Sequence, residues 1–258
     1  MAGVGGASAY LIFKSYEKSG DKQFEKFKDQ PQVQKAVDYF KQKAPTIKTV
    51  EDFFKDRKLL EVALSAYGLE GDMNALGRLK KVLTSDPKDD KSLVNRMRDP
   101  RYTEMNDAFK FASLGTAKLG MQTFLQDVTD KFQRNQFEKS LGNGDPALRE
   151  AAYFRRMASK MNSVWDVLGD KVMRTVVTKT LGLPDQVVNQ SIDKQGALVT
   201  DKIDVAKFKD PKWVDQFLEK YLVKKDAERG GVAGTGSSRN SIVNQLFANA
   251  GGRGGILV

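Results

Sequence analysis

Histidine and cysteine are both absent from the 258 residues of the chain. Without them the chain cannot form a Ser-His-Asp triad or a Cys-His nucleophile pair. Disulfides and zinc, haem or iron–sulfur sites with the usual ligands are excluded as well. Any catalysis would depend on carboxylates, Lys, Tyr, Ser or Thr. The composition therefore favours a protein that is not an enzyme and that uses no cofactor.

Long apolar runs are also missing. No stretch approaches the roughly 18 apolar residues that a membrane span requires, which predicts no transmembrane helix. The apolar start of the chain, Met1 to Phe13, has no positively charged region before it, and Lys14 only follows it. This pattern predicts no cleavable signal peptide and leaves open export by a route that needs none.

The net charge of +10 is spread thinly along the chain, and acidic residues are interleaved with basic ones. Such patterning is typical of a solvated surface. A nucleic-acid-binding protein would more often cluster Lys and Arg on one element, with aromatic residues between them. Nucleic-acid binding is therefore a less favoured alternative.

Apolar residues recur at helical spacing almost throughout, and no run alternates as a strand would. One predicted helix places Leu76, Leu79, Val82 and Leu83 on a single face. The longest is expected from about Thr116 to Lys139, and others are expected to begin at Leu183-Pro184-Asp185 and Asp210-Pro211. The predicted fold class is all-α.

The chain also matches itself at an offset of 114 residues. Between residues 39 and 69, nine of 31 positions are identical to those 114 further on, where chance would give about two. The identical pairs are Tyr39/Tyr153, Phe40/Phe154, Ala44/Ala158, Val50/Val164, Asp52/Asp166, Asp56/Asp170, Val62/Val176, Gly68/Gly182 and Leu69/Leu183. Further on, Asp99-Pro-Arg-Tyr102 resembles Asp210-Pro-Lys-Trp213. We predict a tandem duplication of a helical unit of about 110 residues, forming a two-lobed helical body.

The repeated residues have structural interpretations. Gly68 and Gly182 are expected to end equivalent helices with a positive φ. The repeated Tyr-Phe pairs are expected to pack in the core. The repeated aspartates, four residues apart, allow either a paired-carboxylate active site or helix capping, and capping is favoured because no acid or metal partner stands beside them.

Four segments follow from these patterns. We expect a flexible apolar arm at residues 1–23 and a first helical repeat at 24–115. A second repeat with the long connecting helix is expected at 116–226, and a Gly-rich linker with a short amphipathic helix at 227–258.

The short C-terminal helix carries the candidate partner-binding residues. Ile242, Val243, Leu246 and Phe247 give it a small apolar face that cannot be buried locally. The segment docks either on the body of the same chain or on a partner, and we predict that it contributes more to partner binding than to folding.

Several segments together resemble a bacterial family catalogued as domain of unknown function 1217. The likeness extends over about residues 20–225. It rests on Asp52 to Leu60, Ala66 to Leu69, Lys81 to Asp86, Asp90 to Ser92, Asp99 to Tyr102 and Phe109 to Phe111, and in the second copy on Ala152 to Phe154, Leu181 to Pro184 and Asp210-Pro211. The resemblance supplies no catalytic residue.

The resemblance does imply a cellular setting. Members of this family are largely alphaproteobacterial, are often encoded among flagellar genes, and some are labelled flagellar proteins. The leading hypothesis is therefore a non-enzymatic structural or interaction protein of the bacterial flagellum, whose partners are flagellar proteins or further copies of itself. The alternative is a cytoplasmic assembly factor or export chaperone for flagellar subunits.

Overall fold

The computed structural model describes residues 8–97 and 99–230, and the regular secondary structure within them is all helical, without a β-strand. The predicted all-α class is confirmed. The α-helices are α1 (Ala9–Lys28), α2 (Pro31–Lys43), α3 (Val50–Lys55), α4 (Arg57–Ala66), α5 (Leu76–Leu83), α6 (Leu93–Met97), α7 (Pro100–Phe109), α8 (Phe111–Leu114), α9 (Gln122–Leu141), α10 (Pro146–Met157), α11 (Val164–Gly169), α12 (Lys171–Thr180), α13 (Ile192–Thr200) and α14 (Pro211–Gly230).

The sequence repeat has a counterpart in the element boundaries. Helices α3 and α4, and the 3-10 turn at Ala44–Thr46 before them, recur as α11, α12 and the turn at Ala158–Lys160, each displaced by 114 residues. Local signals explain the match. Asp56 and Asp170 each accept a backbone N–H as N-caps of α4 and α12, so the capping interpretation is confirmed.

Gly68 and Gly182 lie just beyond these helices with φ of 70° and 69°. The N–H of Leu69 bonds to the carbonyl of Leu64 at 2.8 Å, and that of Leu183 to Thr178 at 2.9 Å. Both helices therefore end in a Schellman motif, which requires the left-handed residue that was predicted at each glycine.

Two buried clusters form the core. The first includes Phe40, Phe53 and Phe109, and the second includes Phe154, Phe208 and Tyr221. Phe40, Phe154 and Tyr153 are buried, as predicted for the repeated Tyr-Phe pairs, whereas Tyr39 is only half-buried. The matched elements and the two clusters support the predicted two-lobed duplication, which stays a prediction.

Helix α9 departs from the predicted segment boundaries. Residues Phe124, Leu125, Val128 and Phe132 belong to the first cluster, so a boundary between 115 and 116 cuts through a continuous core. The helix also begins later than predicted, because a 3-10 turn at Ala117–Gly120 and an extended residue at position 121 precede it.

The packing of α9 also corrects one sequence match. Helix α9 lies against α2 and α4, and α14 lies against α10 and α12. The 3-10 turn before α9 packs on the turn after α2, and the 3-10 turn before α14 packs on the turn after α10. Helix α7, which begins at the Asp-Pro sequence matched to that of α14, instead packs against α5 and α6. The structural counterpart of α14 is therefore α9.

The N-terminal arm predicted at residues 1–23 is wrong for residues 9–23, which lie in α1. Ser8 caps the helix, and the Asp226 carboxylate accepts hydrogen bonds from Ser8 Oγ at 2.6 Å and from the Ala9 N–H at 2.9 Å. Ala9 and Phe13 are buried in the second cluster. Ala9 and Phe13 therefore pack on the second half of the chain.

Three further expectations are corrected. Residues 227–230, assigned to the linker, continue α14, and Arg229 pairs with Asp145. The segment after Pro184 forms a 3-10 turn, Asp185–Asn189, in place of a helix. Leu76 is 40% exposed, because it stands at the first position of α5, whereas Leu79, Val82 and Leu83 are buried as predicted.

Candidate interaction surface

A tyrosine–aspartate pair is buried in the second half of the chain. Asp170 at the start of α12 is fully buried, and its Oδ1 accepts the N–H groups of Val172 at 2.8 Å and Met173 at 3.1 Å. The Tyr153 hydroxyl on α10 donates to the other oxygen of Asp170. Burial, together with the Asp170 charge, raises the pKa of Tyr153, so this hydroxyl stays a donor.

Arg101 of the first half covers this pair. Its Nε lies 3.6 Å from Asp170 Oδ2, and its Nη2 donates to Asp99 Oδ2 at 2.7 Å. Its Nη1 donates to the carbonyl of Gly68 at 2.9 Å. Burial alone would lower the pKa of Arg101, but the Asp99 hydrogen bond and the Asp99 and Asp170 charges raise it. One guanidinium thus joins the end of α4 to the start of α12.

The first half carries the same pair in the open. The Tyr39 hydroxyl on α2 donates to Asp56 Oδ2 at 2.8 Å, and Asp56 Oδ1 accepts the Leu59 N–H at 3.0 Å. Both side chains are half-buried. The hydrogen bond to Asp56 raises the pKa of Tyr39. The Lys58 ammonium lies 5.6 Å from the centre of the Tyr39 ring.

A groove of about 720 Å³ adjoins this open pair. It runs between α2, α4 and α9, and its floor includes Val33 and Val62, which are buried. Charged side chains from all three helices line its rim: Lys35, Lys58, Glu61 and Lys139. A groove with an apolar floor and a mixed-charge rim is suited to a protein segment.

The two copies of this helix differ where their surroundings differ. Asp38 on α2 is exposed, whereas its counterpart Ala152 on α10 is buried. Gln42 is exposed, whereas its counterpart Arg156 binds Glu138 of α9 through bonds of 2.6 and 2.9 Å. The sequence differences at these two positions indicate which copy of the helix is covered. The Tyr and Asp residues are identical in both copies and do not indicate it.

The predicted partner-binding residues are not part of this surface. Ile242, Val243, Leu246 and Phe247 lie outside the described residues. Within the described ranges, no group of three or more acidic side chains is placed to hold a metal ion. No helix there is long and apolar enough to cross a membrane.

Residues 66–214, more than half of the chain, match the family described as protein of unknown function (DUF1217). The chain belongs to this family. Tyr153, Asp170, Gly68 and Arg101 all fall inside the matched range, whereas Tyr39 and Asp56 precede it. The buried pair and its arginine therefore lie within the matched range, and the open pair lies before it.

A solved structure shares the fold. The crystal structure of protein AGR_C_984 from Agrobacterium tumefaciens superposes with a TM-score of 0.76 and 28% sequence identity. The match covers 86% of this chain and 97% of that one. No curated protein matches the chain.

Proposed function

We propose that this chain is a non-enzymatic structural or interaction protein of the bacterial flagellum that binds protein partners through the open face of its first half. The observation that carries the proposal is the half-buried, uncovered Tyr39–Asp56 pair beside its groove. The same pair, repeated as Tyr153–Asp170, is covered by another part of the protein. Because the equivalent pair packs against another part of the protein, we expect the Tyr39–Asp56 face to pack against a protein partner.

The flagellar setting rests on the resemblance to a family encoded among flagellar genes. Its test is localisation. We expect the protein to co-fractionate with purified flagella, and we expect deletion of its gene to impair motility. Recovery only from the cytosol, together with normal motility after deletion, would contradict the proposal. Recovery in complex with an unassembled flagellar subunit, and absence from the finished organelle, would favour the assembly-factor alternative.

The open face has its own test. Ala36 on α2 is half-buried in the groove wall, so Ala36→Arg would place a long charged side chain across the groove. Arginine has high helix propensity, and the fold should therefore persist. We expect this variant to lose association with flagella. Ala206→Arg, at an exposed position of the second half, is the matched control and should behave like the parent.

A further inference from the structure

The contact between the halves of the chain has two sides. One side, the glycine end, is the left-handed glycine after α4 together with the cation beside it, Gly68 and Arg101. The other side, the Tyr–Asp face, is Tyr153 with Asp170. A Cβ placed on Gly68 would lie 3.6 Å from the Tyr153 ring and 3.9 Å from Arg101 Cδ, so the glycine turn rests directly against both.

Both sides occur a second time. Gly182 follows α12 in the same left-handed conformation as Gly68, and the Nζ of Lys224 lies 3.2 Å from the position of a Cβ on Gly182. A cation therefore lies beside each glycine end, although Arg101 comes from α7 and Lys224 from α14, which are not counterparts. The second Tyr–Asp face is Tyr39 with Asp56, which keeps the same hydrogen bond and the same cap as its twin.

The second set of surfaces is accessible at both sides. Gly182 and the two residues after Leu183 are exposed. Tyr39 and Asp56 are half-buried beside their groove. The first repeat thus offers a free Tyr–Asp face, and the second offers a free glycine end.

We propose that the occupant of the Tyr39–Asp56 face is the Gly182–Lys224 glycine end of a second copy of this chain. The contact would repeat between molecules the one that Gly68 and Arg101 make with Tyr153 and Asp170 within the molecule. This inference rests on the proposed function, because it names the partner that binds the open face. Because the two sides differ, the contact is head-to-tail, and each copy added exposes the same two surfaces again.

Charge supports the pairing, and residue type sets its strength. The Lys224 ammonium would meet the Asp56 carboxylate, as the Arg101 guanidinium meets Asp170. Lysine is a single point charge without the planar fork of arginine, so it would bond the carboxylate less completely. We therefore expect reversible, concentration-dependent association that weakens with added salt.

The test is sedimentation velocity of the full chain over a wide concentration range. We expect the parent protein to sediment faster as its concentration rises. Asp56→Asn and Lys224→Glu should each weaken self-association by about tenfold or more. Asparagine caps a helix as well as aspartate does, so Asp56→Asn keeps α4 intact. Asp201→Asn and Lys202→Glu, at exposed positions, are the matched controls and should associate like the parent.

Mixing the two variants gives a sharper result. Asp56→Asn retains its glycine end, and Lys224→Glu retains its Tyr–Asp face. An equimolar mixture should therefore form a one-to-one complex that grows no further. A parent that stays monomeric at all concentrations would overturn the proposal, as would variants that self-associate like the parent. If the parent is monomeric but Ala36→Arg still loses its association with flagella, only this inference is overturned. If the parent self-associates but does not associate with flagella, only the proposed function is overturned.

Discussion

The Tyr–Asp pair is buried in the second half of the chain and open in the first, although α4 and α12, which the two aspartates cap, begin and end at equivalent residues. Asp56 and Asp170 both cap a helix, and Gly68 and Gly182 both end one. The difference comes from what packs over the pair. Arg101 and the glycine turn after α4 cover Tyr153 and Asp170, while in the described residues Tyr39, whose hydroxyl donates to Asp56, borders a groove.

This comparison separates local from tertiary causes. Caps and glycine ends depend on side chains within a few residues of the helix end, and so they survive in both copies. Burial of a charged group depends on a partner that arrives from far along the chain. An aspartate that lies at the surface in one copy therefore becomes, in the other, a fully buried charge that must be paired.

The largest expected effect concerns that buried charge. Asp170→Ala would leave Arg101 and the Tyr153 hydroxyl without their shared partner, at a cost of about 3–5 kcal/mol in the free energy of unfolding. Its twin Asp56→Ala would lose mainly a helix cap, about 1 kcal/mol. Urea unfolding at neutral pH measures both. Equal losses would show that the two sites do not differ as described.

Local structure could be predicted from the sequence, and so could part of the candidate site. The periodicity indicates helices throughout, the positive φ at Gly68 and Gly182 is confirmed, and Asp56 and Asp170 are N-caps. These features depend on spacing and residue type within a few positions. Tyr39 was expected in the core, but it is half-buried with its hydroxyl on Asp56.

The partners of α1 and α9 could not be predicted, because the sequence does not specify which distant surface an apolar face will meet. Phe13 at the apolar start of the chain is buried in the second cluster, and Phe124 of α9 in the first. Phe137 of α9 then packs its ring 5.4 Å from that of Phe24 on α1. The segment boundaries therefore failed where a helix serves both halves.

A smaller effect on stability is expected at Glu104, at the edge of the contact between the two halves of the chain. Glu104 on α7 receives Lys160 Nζ at 2.8 Å and Lys131 Nζ at 3.3 Å. Burial alone would raise the pKa of Glu104, but these two lysines lower it below its ordinary value of 4.5. The ionised carboxylate therefore stabilises the fold at pH values above 4.5. This stabilisation is lost as the pH falls through the lowered pKa.

We accordingly expect Glu104→Gln to cost about 1 kcal/mol in the free energy of unfolding at pH 7. The difference between parent and variant should shrink as the pH falls below 4.5. Urea unfolding of both proteins at several pH values measures it. Glu61→Gln, at an exposed position of the first half, should show no such trend. If the difference in the free energy of unfolding does not change with pH, the charge of Glu104 does not stabilise the contact between the two halves.

The smallest effect is expected at Tyr67, the position equivalent to Leu181 of the second half. The Tyr67 side chain is buried, and its hydroxyl has no hydrogen-bond partner among the described residues. Removing an unpaired buried hydroxyl costs no hydrogen bond, so Tyr67→Phe should leave the free energy of unfolding within about 0.5 kcal/mol of the parent, or raise it. Tyr153→Phe removes a hydroxyl bonded to a buried carboxylate and should cost about 1.5–3 kcal/mol. A loss above about 1 kcal/mol for Tyr67→Phe would mean that its hydroxyl is bonded in solution, and that the first half has a polar contact at a position where the second half has only an apolar side chain.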